Sequence, residues 1–219
     1  MKGEYMGIYE KQVPDVVIKR LPRYYRYLSE LLKMDIKRIS SGALSQKMNV
    51  TASQIRQDFN FFGGFGQQGY GYNVEYLHST IGDILGVKNG NTAIIIGAGN
   101  LGKALANHDS IQRRGFDILG MFDNNPSVIG EEVNGNTVYD IKDLENFILE
   151  NRVDVAIIAI PKDHVQEIAT RVINAGVRGI LNFAYTEIKT DKKVAIENVH
   201  ITDSLMTLSY KLNLERTEY

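Results

Sequence analysis

The chain has 219 residues, of which 43% are hydrophobic and 23% are charged, as expected of a globular protein with room for one large core or two smaller ones. It contains no cysteine, which excludes disulfides, thiolate nucleophiles and cysteine-ligated metal centres. The N-terminus lacks the apolar segment of a signal peptide and no apolar run is long enough to cross a bilayer, so we expect a cytoplasmic protein with neither a membrane partner nor a bound metal.

The charges are divided unevenly along the chain. Residues 1–72 hold 11 Lys and Arg against 6 Asp and Glu, a net charge of +5, whereas residues 73–219 hold 14 against 20, a net charge of −6. This division favours a basic N-terminal module that meets a polyanion and a separate acidic module.

Residues 1–13 show no clear period, and a helical pattern begins at Pro14. Four apolar residues recur at helical spacing and are predicted to form the core face of this helix: Leu21, Tyr25, Leu28 and Leu32. The opposite face is basic and either contacts phosphates or is simply solvated; it carries Lys19, Arg20, Arg23 and Arg26.

Two short helices joined by a tight turn are predicted next. The first covers residues 40–48, Asn49 and Val50 form the turn, and the second begins with a capping box from Thr51 to Gln54. The second helix buries an apolar stripe of Ile55, Phe59 and Phe62. The exposed side of this helix-turn-helix offers groups that read adenine and guanine edges in a major groove. The predicted DNA contacts are Lys47, Ser53, Gln54, Arg56 and Gln57.

Glycines alternate with aromatic residues over 63–72, a composition that favours a two-stranded hairpin. A hairpin after a helix-turn-helix forms a winged helix whose tip lies along the neighbouring groove, and here the predicted tip contacts are Gln67 and Gln68. A glycine-rich linker between two domains is the alternative interpretation, although the aromatic residues disfavour it.

Residues 73–87 are predicted to form a connecting helix, and the stretch 92–102 then runs from an apolar strand through glycines into a further helix. Gly97, Gly99 and Gly102 have the G-x-G-x-x-G spacing of a dinucleotide-binding fingerprint. The first glycine allows a tight turn, the second leaves room for a pyrophosphate, and the third lets the helix pack closely on the strand.

A second strand is predicted over 116–122 and ends at Asp123, 21 residues after Gly102. Dinucleotide-binding folds carry an acidic residue near this distance that hydrogen-bonds a ribose hydroxyl. Asp123 repels a 2′-phosphate, and Asn124 and Asn125 offer no arginine to bind one, so we expect NAD(H) in preference to NADP(H). The alternative is that Asp123 is only a turn residue before Pro126.

The rest of the chain alternates helices and strands. After a loop that contains Asn134 and Gly135, a helix is predicted near 140–150, a strand over 153–160, a helix over 162–175 and a strand over 179–184. This pattern predicts an α/β fold with a doubly wound parallel sheet, the Rossmann architecture. Its ligand lies at the carboxyl ends of the strands, where we expect Asp123, the turn of Ile160 and Pro161, and the pair Asn182 and Phe183 to meet the glycines.

His164 is the best acid–base candidate near this crevice, and it keeps open the alternative of a small NAD-dependent oxidoreductase with a basic N-terminal module. The sequence offers no evident orienting partner or substrate clamp for His164, so we expect a protein that is not an enzyme. A sensor of coenzyme A or of another nucleotide is a further alternative on the same fold.

An amphipathic helix is predicted over 201–212, with Leu205, Leu208 and Leu212 on one face. It either covers its own sheet or docks on a partner subunit; a dimer suits a protein that reads a two-fold operator. We therefore predict a winged-helix domain with its connecting helix over 1–86, a Rossmann domain over 87–199 and a dimerisation helix over 200–219.

Five segments together resemble the Rex family of redox-sensing transcriptional repressors, over about residues 13–212. They are 20–27, 51–59, 69–72, the fingerprint with Phe122 and Asp123, and 179–184. The resemblance implies a homodimer that senses the NADH/NAD+ ratio. Its empty or NAD+-bound form binds a palindromic operator in double-stranded DNA, and NADH releases it. It also implies that the C-terminal helix is swapped onto the partner subunit, close to the nicotinamide.

The resemblance also assigns roles to residues of this chain. The pyrophosphate would be held by the loop of Gly97, Ala98, Gly99, Asn100, Leu101 and Gly102. Asp123 would bind the adenosine ribose, and Arg56 would face DNA. The nicotinamide would be bordered by Ile160, Pro161 and Ile201.

Three positions depart from the family pattern. Gln57 stands where lysine is common, and Gln67 with Gln68 stands where the wing tip carries a basic residue, so we expect weaker phosphate contacts and a flatter salt dependence. His200 stands where an aspartate is expected to pair with Arg26 and couple the cofactor site to the winged helix. A neutral histidine cannot form this ion pair and a protonated one repels Arg26, so we expect a switch that uses another contact or depends on pH.

Overall fold

The structure, a computed structural model, describes residues 13–63, 66–67 and 70–217. The chain divides into two compact units, Met1–Lys88 and Asn89–Tyr219. Each unit buries hydrophobic clusters of its own.

The first unit combines helices with a small sheet. Its described helices are α1 (Asp15–Ile18), α2 (Leu21–Lys33), α3 (Ser41–Met48), α4 (Ala52–Asn60) and α5 (Val74–Leu85). Its described strands are β1 (Arg38–Ile39), β2 (Gly66–Gln67) and β3 (Gly71–Asn73). They pair antiparallel in the order β1-β3-β2. The predicted hairpin is confirmed, and β1 extends it to three strands.

The core face of α2 differs from the prediction at two of its four positions, where the buried residue lies one position earlier in the sequence. Tyr24 and Leu31 are buried with Leu21 and Leu28, whereas Leu32 is exposed. Apolar side chains occupy adjacent positions along this helix, so two stripes fit a helical period and tertiary packing selects between them.

Side-chain caps fix the N-termini of both helices of the helix-turn-helix. Ser40 Oγ accepts a hydrogen bond from the first turn of α3 at 3.0 Å, and Thr51 Oγ1 accepts one from the Gln54 N–H at 3.1 Å. Asn49 ends α3 in the left-handed conformation, with φ 53°. The predicted capping box is only half formed, because the Gln54 side chain donates to Asp58 instead of reaching back to the cap.

A fully buried carboxylate links α2 to α4. Asp58 Oδ1 accepts hydrogen bonds from Arg20 Nη2 at 2.7 Å and Gln54 Nε2 at 2.9 Å. Asp58 Oδ2 accepts from Arg20 Nε at 2.7 Å and from the Tyr24 O–H at 2.8 Å. The expectation that Arg20 contacts phosphates or solvent is therefore wrong, because its guanidinium is the counterion of a buried acid.

The second unit is built on a seven-stranded sheet. Its strands are β4 (Asn91–Ile96), β5 (Phe116–Asp123), β6 (Glu132–Val133), β7 (Asn136–Asp140), β8 (Val155–Ile158), β9 (Gly179–Asn182) and β10 (Ala195–Asn198). They lie in the order β10-β9-β8-β4-β5-β7-β6. With β4 as the first strand, this is the Rossmann order 3-2-1-4-5-6 with β6 added at the edge. The helices are α6 (Asn100–Ala106), α7 (Leu144–Asn151), α8 (Val165–Asn174) and α9 (Ile201–Thr217).

Two parts of the predicted sheet need correction. The loop expected around Asn134 and Gly135 is a hairpin turn that pairs β6 antiparallel with β7. Both turn residues have positive φ, 51° and 78°, as a two-residue type I′ turn requires. Within the described residues, the connections over 124–135 and 183–194 contain no helix, so strands and helices do not alternate throughout.

The central strand β4 is covered on both faces. In β4, Ile94 and Ile96 belong to the core formed with α7 and α8, whereas Ile95 belongs to the core on the α6 side. Alternation of side chains across a strand explains why a continuous apolar run is needed here.

α9 leaves its apolar side chains exposed. Ile201, Leu205, Met206, Leu208, Tyr210, Leu212 and Leu214 are each between 48% and 64% exposed. The interpretation in which this helix covers its own sheet is therefore wrong.

We predict that acid weakens the first unit through Asp58. Burial acts to raise the pKa of this carboxyl, but hydrogen bonds from Arg20, Gln54 and Tyr24 together hold the pKa below its usual range. The stabilisation is therefore present above the pKa of an unfolded aspartate, about 3.9, and is lost as pH falls through the folded-state pKa. Asp58→Asn should lower the free energy of unfolding at neutral pH by about 3–5 kcal/mol and remove this acid dependence.

Thermal unfolding at neutral pH and at about pH 3 measures both effects. Asp83→Asn is the matched control, because its exposed carboxylate pairs with Lys88 at the surface and should contribute less than about 1 kcal/mol. Equal stability of Asp58→Asn and the unsubstituted protein at neutral pH would contradict the prediction.

Candidate dinucleotide site and nucleic-acid interface

The fingerprint loop brings β4, α6 and the end of β8 into close contact. Gly97 has a φ of +102°, and a Cβ there would overlap the carbonyl oxygen of Ala159. A Cβ on Gly102 would overlap the carbonyl oxygen of Gly97, so α6 packs directly on the turn. Nothing lies within 4 Å of the position that a Gly99 Cβ would take. Two glycines thus permit close packing, and the third leaves space above the loop.

The space above Gly99 suits an anion. Gly99 is the N-cap of α6, and Asn100 and Leu101 form the first turn of that helix. Backbone N–H groups in a first helical turn have no acceptor within the helix, so they present donors to a ligand. The loop therefore has the shape and the polarity that a pyrophosphate needs.

Asp123 ends β5 beside the same loop. Its Oδ2 accepts a hydrogen bond from the Ala98 N–H at 2.7 Å, and its Oδ1 accepts one from the Asn125 N–H at 2.9 Å. Two backbone donors therefore orient the carboxylate, which retains about two further acceptor positions. Asp123 is a turn residue and also has acceptors left for the two hydroxyls of a ribose.

A cavity of about 420 Å³ opens at the carboxyl ends of β4, β5 and β8. β4 and β8 are the neighbours at which the strand order reverses, the position where Rossmann folds bind ligands. Five residues named from the sequence lie in its wall: Gly97, Gly99, Asp123, Ile160 and Pro161. His164, the acid–base candidate, lies there too.

The wall also contains Asn124, which follows Asp123, and four residues that the sequence did not single out: Ile141, Glu167, Ile168 and Arg171. Ile141 follows β7, whereas Ile168 and Arg171 lie on α8. Only the order of the strands brings these segments together, and no local motif marks them. The helical spacing of His164, Glu167, Ile168 and Arg171 is the one signal that could have identified a common face.

An ion pair fixes one wall of the cavity. Arg171 Nε and Nη2 donate to the two carboxylate oxygens of Glu145 at 2.6 and 2.8 Å, and Nη2 also donates to the Ile141 carbonyl oxygen at 2.8 Å. The hydrogen bond from Arg171 holds the pKa of Glu145 below its usual range. This pair joins α7 to α8, so the guanidinium at the cavity already has a counterion.

Asn182 and Phe183 do not join this site. The Asn182 amide is buried and donates to the Thr186 carbonyl oxygen and to Asn198 Oδ1, both at 2.8 Å. Phe183 packs against the core on the α6 side of the sheet. The prediction that both border the crevice is wrong, because these side chains fix the turn after β9 and its connection to β10.

The predicted DNA contacts differ in their exposure and in the element that carries them. Lys47, Ser53, Arg56 and Gln57 are exposed on α3 and α4. Arg56 Nη1 donates to Ser41 Oγ at 3.1 Å, which holds its guanidinium at the start of α3. Gln54 is half-buried and donates to Asp58. Gln67 lies in β2, and Gln68 lies outside the described residues.

Three arginines follow one another at three-residue intervals, Arg20 at the N-cap of α2 and Arg23 and Arg26 within the helix. Arg20 binds Asp58 in α4, and Arg23 Nη2 donates to the carbonyl oxygen of Met48, the last residue of α3, at 3.0 Å. Arg26 is exposed. α2 is thus bonded to both helices of the helix-turn-helix.

His200 precedes α9. Its Nδ1 is buried and has no hydrogen-bond partner in the described part of the chain. Its ring lies edge-on to Tyr185, with 5.0 Å between the centroids. Ile201, the next residue, is 62% exposed. A buried ring nitrogen is ordinarily hydrogen-bonded, so the Nδ1 atom of His200 lacks the partner that such an atom usually has among the described residues.

No group of three or more His, Cys, Asp or Glu side chains in the described ranges is arranged to hold a metal ion. The helices of residues 13–217 that the structure describes include none that is long and apolar enough to span a membrane.

The two units define a class of proteins in which a winged helix-turn-helix is joined to a dinucleotide-binding Rossmann domain. Residues 12–60 match the family "Putative DNA-binding protein N-terminus", and residues 88–186 match the family "CoA binding domain". These matches cover the helix-turn-helix and all strands of the fingerprint-bearing sheet except β10.

Full-length relatives are more specific. The redox-sensing transcriptional repressor Rex of Thermoanaerobacter pseudethanolicus is 54% identical over 93% of this chain and 91% of its own length. Rex of Clostridioides difficile is 52% identical over 91% of this chain and 95% of its own length. The chain belongs to the Rex family of redox-sensing transcriptional repressors.

Solved structures agree with this assignment. The crystal structure of RSP in complex with β-NAD+ and operator DNA is 53% identical, covers 94% of each chain and has a TM-score of 0.88. RSP in complex with β-NADH is 50% identical, covers 94% of this chain and 97% of that chain, and has a TM-score of 0.88. The predicted winged helix and Rossmann fold are confirmed.

Proposed function

We propose that this chain is a homodimeric transcriptional repressor that senses the NADH/NAD+ ratio. Its empty or NAD+-bound form binds a palindromic operator in double-stranded DNA, and NADH releases the operator. The proposal rests on one observation: this chain, a member of the Rex family, contains both a capped helix-turn-helix and a cavity beside the glycine fingerprint. RSP supplies the supporting precedent, because its structures contain NAD+ with operator DNA and NADH.

In the proposed complex, the loop from Gly97 to Gly102 holds the pyrophosphate and Asp123 holds the adenosine ribose. The space over Gly99 and the two acceptor positions left on Asp123 support this placement. The nicotinamide lies toward Ile160 and Pro161. NADH and NAD+ differ in ring charge, and the dihydronicotinamide ring of NADH is the uncharged one.

In the proposed DNA complex, α4 enters the major groove. The exposed side chains of Ser53, Arg56 and Gln57 face the bases, and Lys47 contacts the backbone. Two copies are needed because each half of a palindrome binds one helix-turn-helix.

α9 supports a dimer. Its apolar side chains are exposed in a single copy of the chain. In a two-fold symmetric dimer, the second subunit can cover them. We propose that α9 is swapped onto the partner subunit and places Ile201 near the partner's nicotinamide. In this arrangement residues 1–86, 87–199 and 200–219 act as DNA-binding, cofactor-binding and dimerisation segments.

The proposed switch is a shift between two dimer populations. A ligand moves such an equilibrium only if it binds the two states with different affinities. An apolar dimer seam accepts an uncharged ring at lower desolvation cost than a charged one. NADH therefore favours a closed dimer whose two recognition helices no longer match the operator spacing.

We propose binding without turnover. His164 lies in the cavity wall as an exposed side chain, and the relatives named above are repressors. An oxidoreductase on the same fold would transfer a hydride from NADH to an oxidised second substrate, so loss of NADH absorbance in the presence of added carbonyl compounds reports that alternative.

We predict that NADH releases the purified protein from an AT-rich palindromic operator at concentrations where NAD+ has no effect. Fluorescence anisotropy of labelled operator measures the release. Gly99→Ala is the matched variant: a Cβ fits this position without overlap but occupies the space over the loop, so operator binding should remain and release by NADH should be lost. Operator binding that is indifferent to NADH, or release by coenzyme A instead, would contradict the proposal.

We predict a pH-dependent switch at His200. The family resemblance implies an aspartate at this position that pairs with Arg26, and His200→Asp would restore that pair, so release by NADH should depend less on pH in His200→Asp than in the unsubstituted protein. The release midpoint measured at several pH values tests this, with His108→Asp as a control at an exposed histidine. If His200→Asp leaves release unchanged at every pH, His200 is not part of the switch.

A further inference from the structure

We propose that Gln54 acts on operator binding as a positioning residue of the recognition helix α4, committed to the buried Asp58, and does not read a base. The inference rests on the proposed function, since it concerns how the helix-turn-helix recognises DNA. Gln54 stands in the N-terminal half of α4 among the exposed polar residues, where its residue type suggests adenine recognition.

The contacts of Asp58 leave no vacancy for a substitute donor. Its carboxylate accepts two hydrogen bonds from Arg20, one from Tyr24 and one from Gln54, at 2.7 to 2.9 Å. A carboxylate offers about four lone-pair sites, so these four donors fill it. Because Asp58 is fully buried, withdrawal of Gln54 removes one of the four donors that satisfy its carboxylate.

Adenine recognition by glutamine makes competing demands on the same amide. It requires the amide nitrogen and the amide oxygen to point together at one base edge. In Gln54 the nitrogen donates to Asp58 at 2.9 Å, toward the interior of the unit. A bidentate base contact would break this bond and weaken a charge-assisted network. Gln57, on the same helix, is exposed and carries an amide for DNA.

The position of Gln54 explains what its bond achieves. Asp58 lies one helical turn after Gln54 and is bonded to Arg20 and Tyr24 of α2, so the network holds α4 on α2. Arg23 holds the end of α3 on α2 through the Met48 carbonyl oxygen. The angle at which α4 is presented therefore depends on this network, and loss of one donor affects every operator equally.

A panel of operators with each half-site base pair replaced in turn tests the assignment. Gln54→Met keeps the length of the side chain but cannot donate, and Gln57→Met is the matched control on the same helix. We expect Gln54→Met to weaken binding to every operator in the panel by a common factor of roughly three- to ten-fold, as fewer molecules hold the competent geometry. The preference for the cognate base pair at each position should stay unchanged.

A double-mutant cycle with Tyr24→Phe supplies a second readout. Tyr24 is fully buried and also donates to Asp58, so a residue that acts through Asp58 should show non-additive losses of affinity with it. A base reader should be additive with Tyr24→Phe. Thermal unfolding of each variant shows that the proteins compared are folded.

Two results would overturn the inference. The first is that Gln54→Met loses the preference for the cognate base pair at one operator position, by about 5- to 150-fold, the range expected of a good bidentate contact. The second is binding to all operators that equals that of the unsubstituted protein. Failure of the unsubstituted protein to bind any palindromic operator would instead overturn the proposed function, and this inference with it.

Discussion

The close approach of α6 to the fingerprint turn is the constraint on which the cofactor unit depends. Gly102 has no side chain and sits against the Gly97 carbonyl oxygen, while Gly97 itself sits against the end of β8. These two contacts bring β4, α6 and β8 together at the switch point of the sheet. The cavity, the open space over Gly99 and the position of Asp123 all follow from that packing.

The DNA-binding unit depends on a different kind of contact. Its recognition helix is held by a buried carboxylate with four donors, in addition to the apolar packing of Ile55 and Phe59. A buried charge is costly to leave unpaired, so such a network permits one arrangement of α2 and α4 and disfavours others. Rigid presentation of α4 is a requirement for reading base edges, and the network supplies it beside a core that is otherwise apolar.

Local signals predicted much of this structure. The glycine spacing, the cap at Thr51 and the apolar strands all act within a few residues, and each is found in place. Asn134 followed by Gly135 is also a typical hairpin turn, so the residues themselves carry a signal for the β6–β7 hairpin that the expected loop misses. The remaining differences depend on distant partners. Asp58 is buried because residues 34 and 38 positions earlier supply its donors, and Ile168 and Arg171 reach the cavity only through the strand order.

The central claim is that one molecule couples nicotinamide binding to operator binding. Coupling free energies are reciprocal. If a cofactor lowers the affinity of the protein for DNA, DNA must lower the affinity of the protein for that cofactor by the same factor. The most direct measurement is calorimetric titration of NADH into the protein with and without saturating operator, beside an operator titration with and without NADH. Operator should weaken NADH binding by the same factor as NADH weakens operator binding. NADH affinity that is identical with and without operator would contradict it.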